Sequence, residues 1–408
     1  MEKINLNEEI KGSSVFKIHP YKLNKDGEDY ILGRLDTNDY VSLSEDAYAI
    51  LKLLEDGASI NDILHKYQED QLSFEDVKEF IISLVESNIV HKLDDHVLSS
   101  TNTVKENSEP KRSRLAEWLF SKTAWVFYAV SLVLVPLLMI NESLRPKPED
   151  LFLSNSGVIT FFTIIIGTWI TVFVHEFGHA VAAKKEGIGS KITWGYRWIF
   201  LVIETDVTDI WSIKRNRRYA VYLGGPAWSN AMILGLLLIQ LIPLPALMID
   251  ISKFFVLLIL QSLIFQFLFF LRTDLYYVLA NYLRIDNLNE LSKSLFLNLV
   301  TGRIKKLRKE VTNWSSWEKK LVSIYTFINV VGTSTTLILF LAINLPVVKL
   351  YIETAINKIY YSELFSYEYW DGIAFGTFSL NPFFILLVYY SIDLYKYVVA
   401  KKEQKWTV

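Results

Sequence analysis

The sequence predicts a polytopic α-helical membrane protein of about six spans, preceded by a cytoplasmic α+β domain of winged-helix type. Three observations carry that expectation. Of the 408 residues 51% are hydrophobic and the mean hydropathy is +0.25, above what a soluble globular chain usually shows. The apolar excess is segregated: everything before Trp118 is charged and ordinary in composition, and everything after it is a series of long apolar runs separated by basic or acidic loops. The basic clusters fall on alternate loops, which gives the runs a direction.

Composition also excludes some classes. A formal net charge of -2 does not suit a strongly basic nucleic-acid binder, so no nucleic-acid partner is expected. There is no cysteine, which removes both a disulfide scaffold and a thiolate metal site. The opening MEKINLNEEIKGSS has no apolar core after its lysine, so no signal peptide is expected.

Residues 1–98 read as the soluble domain. Tyr30 to Leu35 and Tyr40 to Leu43 are strands, with Asp36, Asn38 and Asp39 as turn residues between them. Ser44 then caps a helix that turns Ala47, Ile50, Leu51 and Leu54 inward. Ser59 caps a second with Ile63 and Leu64, and Ser73 a third with Val77, Ile81 and Leu84 in phase. Residues 99–117 read as a linker, because the tract from Ser99 to Arg114 is polar, lacks periodicity and ends in basic residues.

Residues 118–408 form the membrane domain. A span needs about 20 residues, and the candidates are Ala124 to Ile140, Val158 to Ala182, Tyr219 to Leu241, Phe254 to Leu271, Leu321 to Ile343 and Phe383 to Val399. Lys111, Arg112 and Arg114 precede the first. Lys184 with Lys185, the run Lys214 to Arg218, the run Arg303 to Lys309 and the final KKEQK then fall on the same side. That pattern places both termini in the cytoplasm of a multi-pass cell-membrane protein. The aromatic stretch from Lys349 to Gly372 reads as an interfacial segment, and Ile192 to Thr205 as one or two strands dipping toward the site under the protection of neighbouring protein.

The chemistry is concentrated in HEFGH. His175 and His179 are four apart on an apolar helix, so both imidazoles face one side and can share a metal, with Glu176 beside the first to hold the attacking water. Charged or imidazole side chains in hydrocarbon are costly unless paired or metal-bound, which favours function over packing here. Gly178 leaves a bare face where a substrate backbone or another helix can approach. A catalytic zinc takes three protein ligands, so a third is required. Asp274, at the cytoplasmic end of the fourth candidate span, has the matching depth. Arg272 competes by offering Asp274 a simple ion pair, and Glu204, Asp206 and Asp209 are further carboxylates within reach.

An HEFGH helix followed by a distant aspartate resembles the site-2 protease family of intramembrane zinc metalloproteases, and within it the peptide zinc metalloprotease subgroup. The resemblance runs from about Ala124 to Asn289 through four ordered elements: HEFGHAVAA, TDVTD at Thr205 to Asp209, GGPAWSN at Gly224 to Asn230, and RTDLYYVLANYLRIDNL. It implies Zn2+ on His175, His179 and Asp274, and Glu176 as general base. Leu275 stands where the family has a glycine after the third ligand, and Leu268 and Phe269 replace an asparagine-proline pair. Ser229 fills the place of a substrate-orienting asparagine, with Asn230 one residue late. Residues Tyr21 to Leu93 resemble the small peptide-recognition domain of systems that modify ribosomally made peptides, in which a leader peptide adds to a strand edge beside the third helix.

The resulting expectation is an intramembrane zinc endopeptidase cutting a precursor or leader peptide near the cytoplasmic face. Its partners would be that peptide, membrane lipid and a peptide-modifying enzyme or exporter. The competing readings are regulated proteolysis of a membrane-anchored regulator, and a non-catalytic metal- and peptide-binding exporter or immunity protein.

Overall fold

The computed structural model describes residues 9–377 apart from 28, 36, 38, 68–71, 95, 99–112, 155, 198–199 and 313, together with 380 and 391. The expected linker tract, the sixth span and the final basic run lie wholly or almost wholly outside the described residues. The N-terminal region opens with strands β1 (Phe16–Ile18), β2 (Tyr21–Asp26), β3 (Asp29–Arg34) and β4 (Tyr40–Leu43). Helices α1 (Glu45–Glu55), α2 (Ile60–Tyr67) and α3 (Phe74–Glu86) follow, then strands β5 (Val90–Leu93) and β6 (His96–Val97). The strands form two antiparallel sheets, in the orders β2-β3-β4 and β1-β5-β6.

Each helix starts where its serine dictates. Ser44 Oγ accepts the Ala47 N–H at 3.2 Å, and Ser59 and Ser73 each exchange hydrogen bonds with the aspartate three residues on. Such caps satisfy amide groups that the first turn leaves orphaned. The apolar faces then meet in one core that includes Leu32, Leu51, Leu54, Ile63, Ile81 and Leu84. Four strands were not foreseen. β2 is the instructive case: YKLNKD has too little apolar alternation to announce a strand, yet all six of its residues pair with β3.

Beyond α4 (Arg114–Leu119) come α5 (Lys122–Leu138), α6 (Gly157–Glu186), a hairpin of β7 (Lys191–Arg197) with β8 (Phe200–Asp206), and α7 (Arg215–Tyr222) running into α8 (Gly224–Ile239). Next are α9 (Ala246–Phe265), α10 (Asp274–Leu283), α11 (Leu288–Val300), α12 (Ile304–Thr312) and α13 (Ser316–Tyr361), and a further helix lies over 367–377. Among the described residues four helical stretches are long and apolar enough to cross a membrane: Gly157–Glu186, Arg215–Ile239, Ala246–Phe265 and Ser316–Ile338. The apolar α5 is shorter, at 17 residues. The protein is therefore a polytopic α-helical membrane protein with a mixed α+β N-terminal region.

Two expected boundaries shift. The helix expected to begin at Phe254 begins at Ala246, directly after Pro245, so the charges of Asp250 and Lys253 lie inside it. It ends at Phe265, and the remaining residues to Leu271 form a turn followed by a short 3-10 helix over Phe269–Leu271 rather than a continuation of the α-helix. The aromatic stretch after Lys349 continues α13 to Tyr361 as helix.

The chain divides into two compact units. In the first, Met1–Phe120 is joined by Ala180–Lys191 and Asp206–Val221. Asp26, at the end of β2 with its side chain 6% exposed, receives Arg215 at 3.0 Å and the fully buried Arg218 at 2.8 Å. The Arg218 guanidinium also stacks 4.8 Å from the Trp211 ring, and the Tyr40 hydroxyl donates to Asp209 at 3.3 Å. Burial and the Asp209 carboxylate push the Tyr40 phenol above its ordinary range. The second unit comprises Ser121–His179, Ile192–Thr205 and Tyr222–Val408. In it Asp371 caps the start of α6, accepting from Ser156 Oγ at 2.9 Å and the Val158 N–H at 3.2 Å, where a negative charge suits the helix dipole.

Candidate metal centre

His175 and His179 lie one turn apart on α6 and are 4% and 6% exposed, buried enough that their ring nitrogens need partners. Their Nε2 atoms are 3.2 Å apart. Asp274 Oδ2 stands 2.9 Å from His175 Nε2 and 3.2 Å from His179 Nε2. Three donor atoms thus converge on one point, and each residue offers one ligand atom within 4.8 Å of the others. Burial raises the Asp274 pKa, but the adjacent His179 and His175 outweigh it and hold the carboxyl well below the usual carboxylate range.

The approach is made possible by missing side chains. A Cβ on Gly178 would lie 2.7 Å from the Gly224 carbonyl oxygen, so glycine is what lets α6 meet the start of α8. A Cβ on Gly225 would stand 2.4 Å from His179 Nε2 and 2.7 Å from His175 Nε2. The backbone of the GGP element therefore faces the ligand tips, keeping a space there that any other residue would fill. From α8, Ser229 Oγ lies 3.0 Å from His175 Nδ1. Were a metal held on Nε2, Nδ1 would keep the ring proton and donate it to this hydroxyl, and the contact would hold the ring orientation.

Asp274 is delivered by a break between α9 and α10. A short turn over Phe269–Leu271 ends at Arg272, whose φ of 55° is left-handed. Thr273 Oγ then donates to the Gln266 carbonyl at 2.6 Å, and the Asp274 N–H donates to Gln266 Oε1 at 3.0 Å. Gln266 thus holds the chain on both sides of the turn. Arg272 pairs with Glu290, so the ion pair that competed for Asp274 is made elsewhere and the aspartate remains with the histidines.

Glu176 is held from β8. The Thr205 N–H donates to Glu176 Oε2 at 2.8 Å, and the Thr205 hydroxyl lies 2.8 Å from the same oxygen and 2.9 Å from the Glu176 carbonyl oxygen. The expected strands over Ile192 to Thr205 are thus a hairpin whose end reaches the HEFGH helix.

The remaining candidates separate. Asn230 Nδ2 donates to Ser131 Oγ at 2.7 Å, tying α8 to α5. Asn230, Gln266 and Leu275 line an apolar cavity of about 360 Å³, with Trp125, Tyr128 and Pro226 among its other walls. Asp206 accepts from Thr208 and Asp209 from Tyr40; among the described residues the metal-ligand cluster contains only His175, His179 and Asp274. Gln266 and Thr205 were not singled out for these roles by the sequence. Neither carries a local signal, although Thr205 opens the TDVTD element that drew attention.

Compared with known proteins, the chain matches no family model, no curated protein and no solved structure. Fold and site together define a multi-pass α-helical membrane protein with a buried His-His-Asp cluster able to coordinate a metal ion.

Proposed function

We propose that this chain is an intramembrane zinc endopeptidase of site-2 protease type that cuts a ribosomally made precursor or leader peptide near the cytoplasmic face. The observation that carries the reading is the convergence of His175, His179 and Asp274 within an otherwise apolar helical bundle, with Glu176 next in sequence to the first. Zinc at about 2.0–2.1 Å from nitrogen or oxygen ligands sets tetrahedral ligand separations of about 3.3 Å; the 2.9 to 3.2 Å found here are close to that and too tight for a large cation. A two-nitrogen, one-oxygen set with no thiolate also suits a catalytic zinc better than a structural one.

Bound zinc supplies Lewis-acid polarisation of a peptide carbonyl and acidifies water. The chain's own residues do the rest. Glu176 accepts the proton of the attacking water and passes it to the departing amine. Ser229 keeps the His175 ring in register, and the glycine backbone at Gly225 leaves room for an extended substrate. The apolar residues of α6 limit water around the reacting groups, which strengthens each charge interaction. The cavity beside Leu275 accommodates an apolar substrate side chain. The N-terminal region supports leader binding through the β2-β3-β4 sheet, whose outer strand β4 has an unpaired side among the described residues.

Glu176→Gln is the test. It retains size and all three ligands while removing the proton acceptor, so zinc content stays at the wild-type level. Turnover of a genuine precursor in lipid, followed by mass spectrometry of the new termini, falls roughly 100-fold to 10,000-fold. A glutamine variant that cuts at the wild-type rate ends the proposal.

A further inference from the structure

We propose that Thr205 is the positioning residue for Glu176: the end of β8 pins one carboxylate oxygen and leaves the other to take the proton. The consequence for turnover rests on the protease reading, whereas the contact itself does not. Two donors of one residue converge on Oε2, the main-chain N–H and the hydroxyl, each at 2.8 Å. The hydroxyl has one proton and two acceptors in reach, Oε2 at 2.8 Å and the Glu176 carbonyl at 2.9 Å, so on either one it ties Thr205 to Glu176 beside the main-chain N–H. Among the described residues Glu176 Oε1 takes no hydrogen bond. The terminal torsion of a glutamate is broad and roughly two-fold. Fixing Oε2 therefore fixes where Oε1 points, which α6 alone cannot do.

The clamp is non-local. Thr205 lies 29 residues beyond Glu176, at the far end of a hairpin whose strands are further joined by Thr193 Oγ donating to the Glu204 carbonyl at 3.5 Å. The base is oriented only while that hairpin is seated. A glutamate on a single helix would instead sample several orientations, and a misplacement of about 1 Å in reacting groups costs on the order of 100-fold in rate.

The test uses full-length protein in lipid nanodiscs and has two arms. In the first, the protein is stripped of metal and hydrogen exchange is followed at the residue-205 amide. Glu176→Ala removes the acceptor, and exchange there accelerates roughly 10-fold or more. Unchanged exchange overturns the clamp. In the second, a quenched fluorescent probe is used, a lysine-flanked single-span peptide of alanine and leucine. Thr205→Val is nearly isosteric and keeps the N–H but loses the hydroxyl; Thr205→Ser keeps both donors. The valine variant loses roughly 10-fold to 100-fold in kcat with KM within about twofold, and serine restores kcat to within about threefold of wild type. A loss carried by KM, or a serine variant as impaired as valine, overturns the positioning role. Should the wild type leave the probe uncut while Glu176→Ala still accelerates exchange, the clamp stands and the protease reading loses support.

Discussion

At the residue scale the site depends on groups that never touch a metal. Ser229→Ala removes the acceptor of His175 Nδ1 and weakens metal binding by roughly 10-fold to 100-fold, the usual worth of such an outer partner; competition with a chelating dye reads this, and unaltered affinity would remove Ser229 from the account. Gly225→Ala places a methyl within 2.4 Å of His179 Nε2, so metal content falls sharply while the helical circular dichroism persists. These residues were legible to different degrees. His175, Glu176 and His179 announce themselves because ligand geometry on a helix follows from spacing alone. Asp274 is 99 residues from His175, and it was suggested by its depth at the end of an apolar run and by the resemblance of the segment around it. Ser229 stood out for a different task, orienting substrate, because a sequence does not say which face of α8 meets which ring. Gln266 was invisible: a glutamine at a helix end is ordinary until a turn folds back onto it.

At the element scale, local chemistry wrote the helices and tertiary pairing wrote the strands. Ser44, Ser59 and Ser73 each bond to the first turn that follows them, so the starts of α1 to α3 could be read directly. β2 could not, since its half-exposed residues become a strand only against β3. The same strand ends in Asp26, whose partners Arg215 and Arg218 come from a basic run that reads as a membrane-flanking cluster. The sequence gives that run a topological role; the structure gives it a packing role as well. Removing one member of a buried ion pair costs roughly 3–5 kcal/mol, because the other charge is left without compensation. Asp26→Ala therefore loosens the segment from Lys214 to Arg218 and brings tryptic cleavage there at enzyme concentrations that leave the wild type intact. Identical cleavage patterns would show that the pairing does not hold this segment.

At the scale of the whole molecule, apolar content was enough to make the chain a multi-pass membrane protein, and the positive-inside pattern proposes an orientation with both termini in the cytoplasm. The absence of cysteine makes that orientation directly measurable, because each introduced thiol is the only one present. Ser143→Cys, in the loop between α5 and α6, reacts with an impermeant maleimide on intact cells; Thr301→Cys, beside the basic run after α11, reacts only after permeabilisation. The reverse pattern would turn the proposed topology over. More locally, His175, His179 and Asp274 are placed to hold one metal ion, and the charge at Arg272 belongs to a separate pair with Glu290. The most direct test of this site is the zinc content of purified protein, determined by mass spectrometry for wild type, Asp274→Ala and Arg272→Ala side by side. The account predicts about one zinc per chain in the wild type and in Arg272→Ala, and at least a tenfold loss of affinity in Asp274→Ala. A wild type without zinc, or an Asp274→Ala variant that retains it undiminished, would contradict the account.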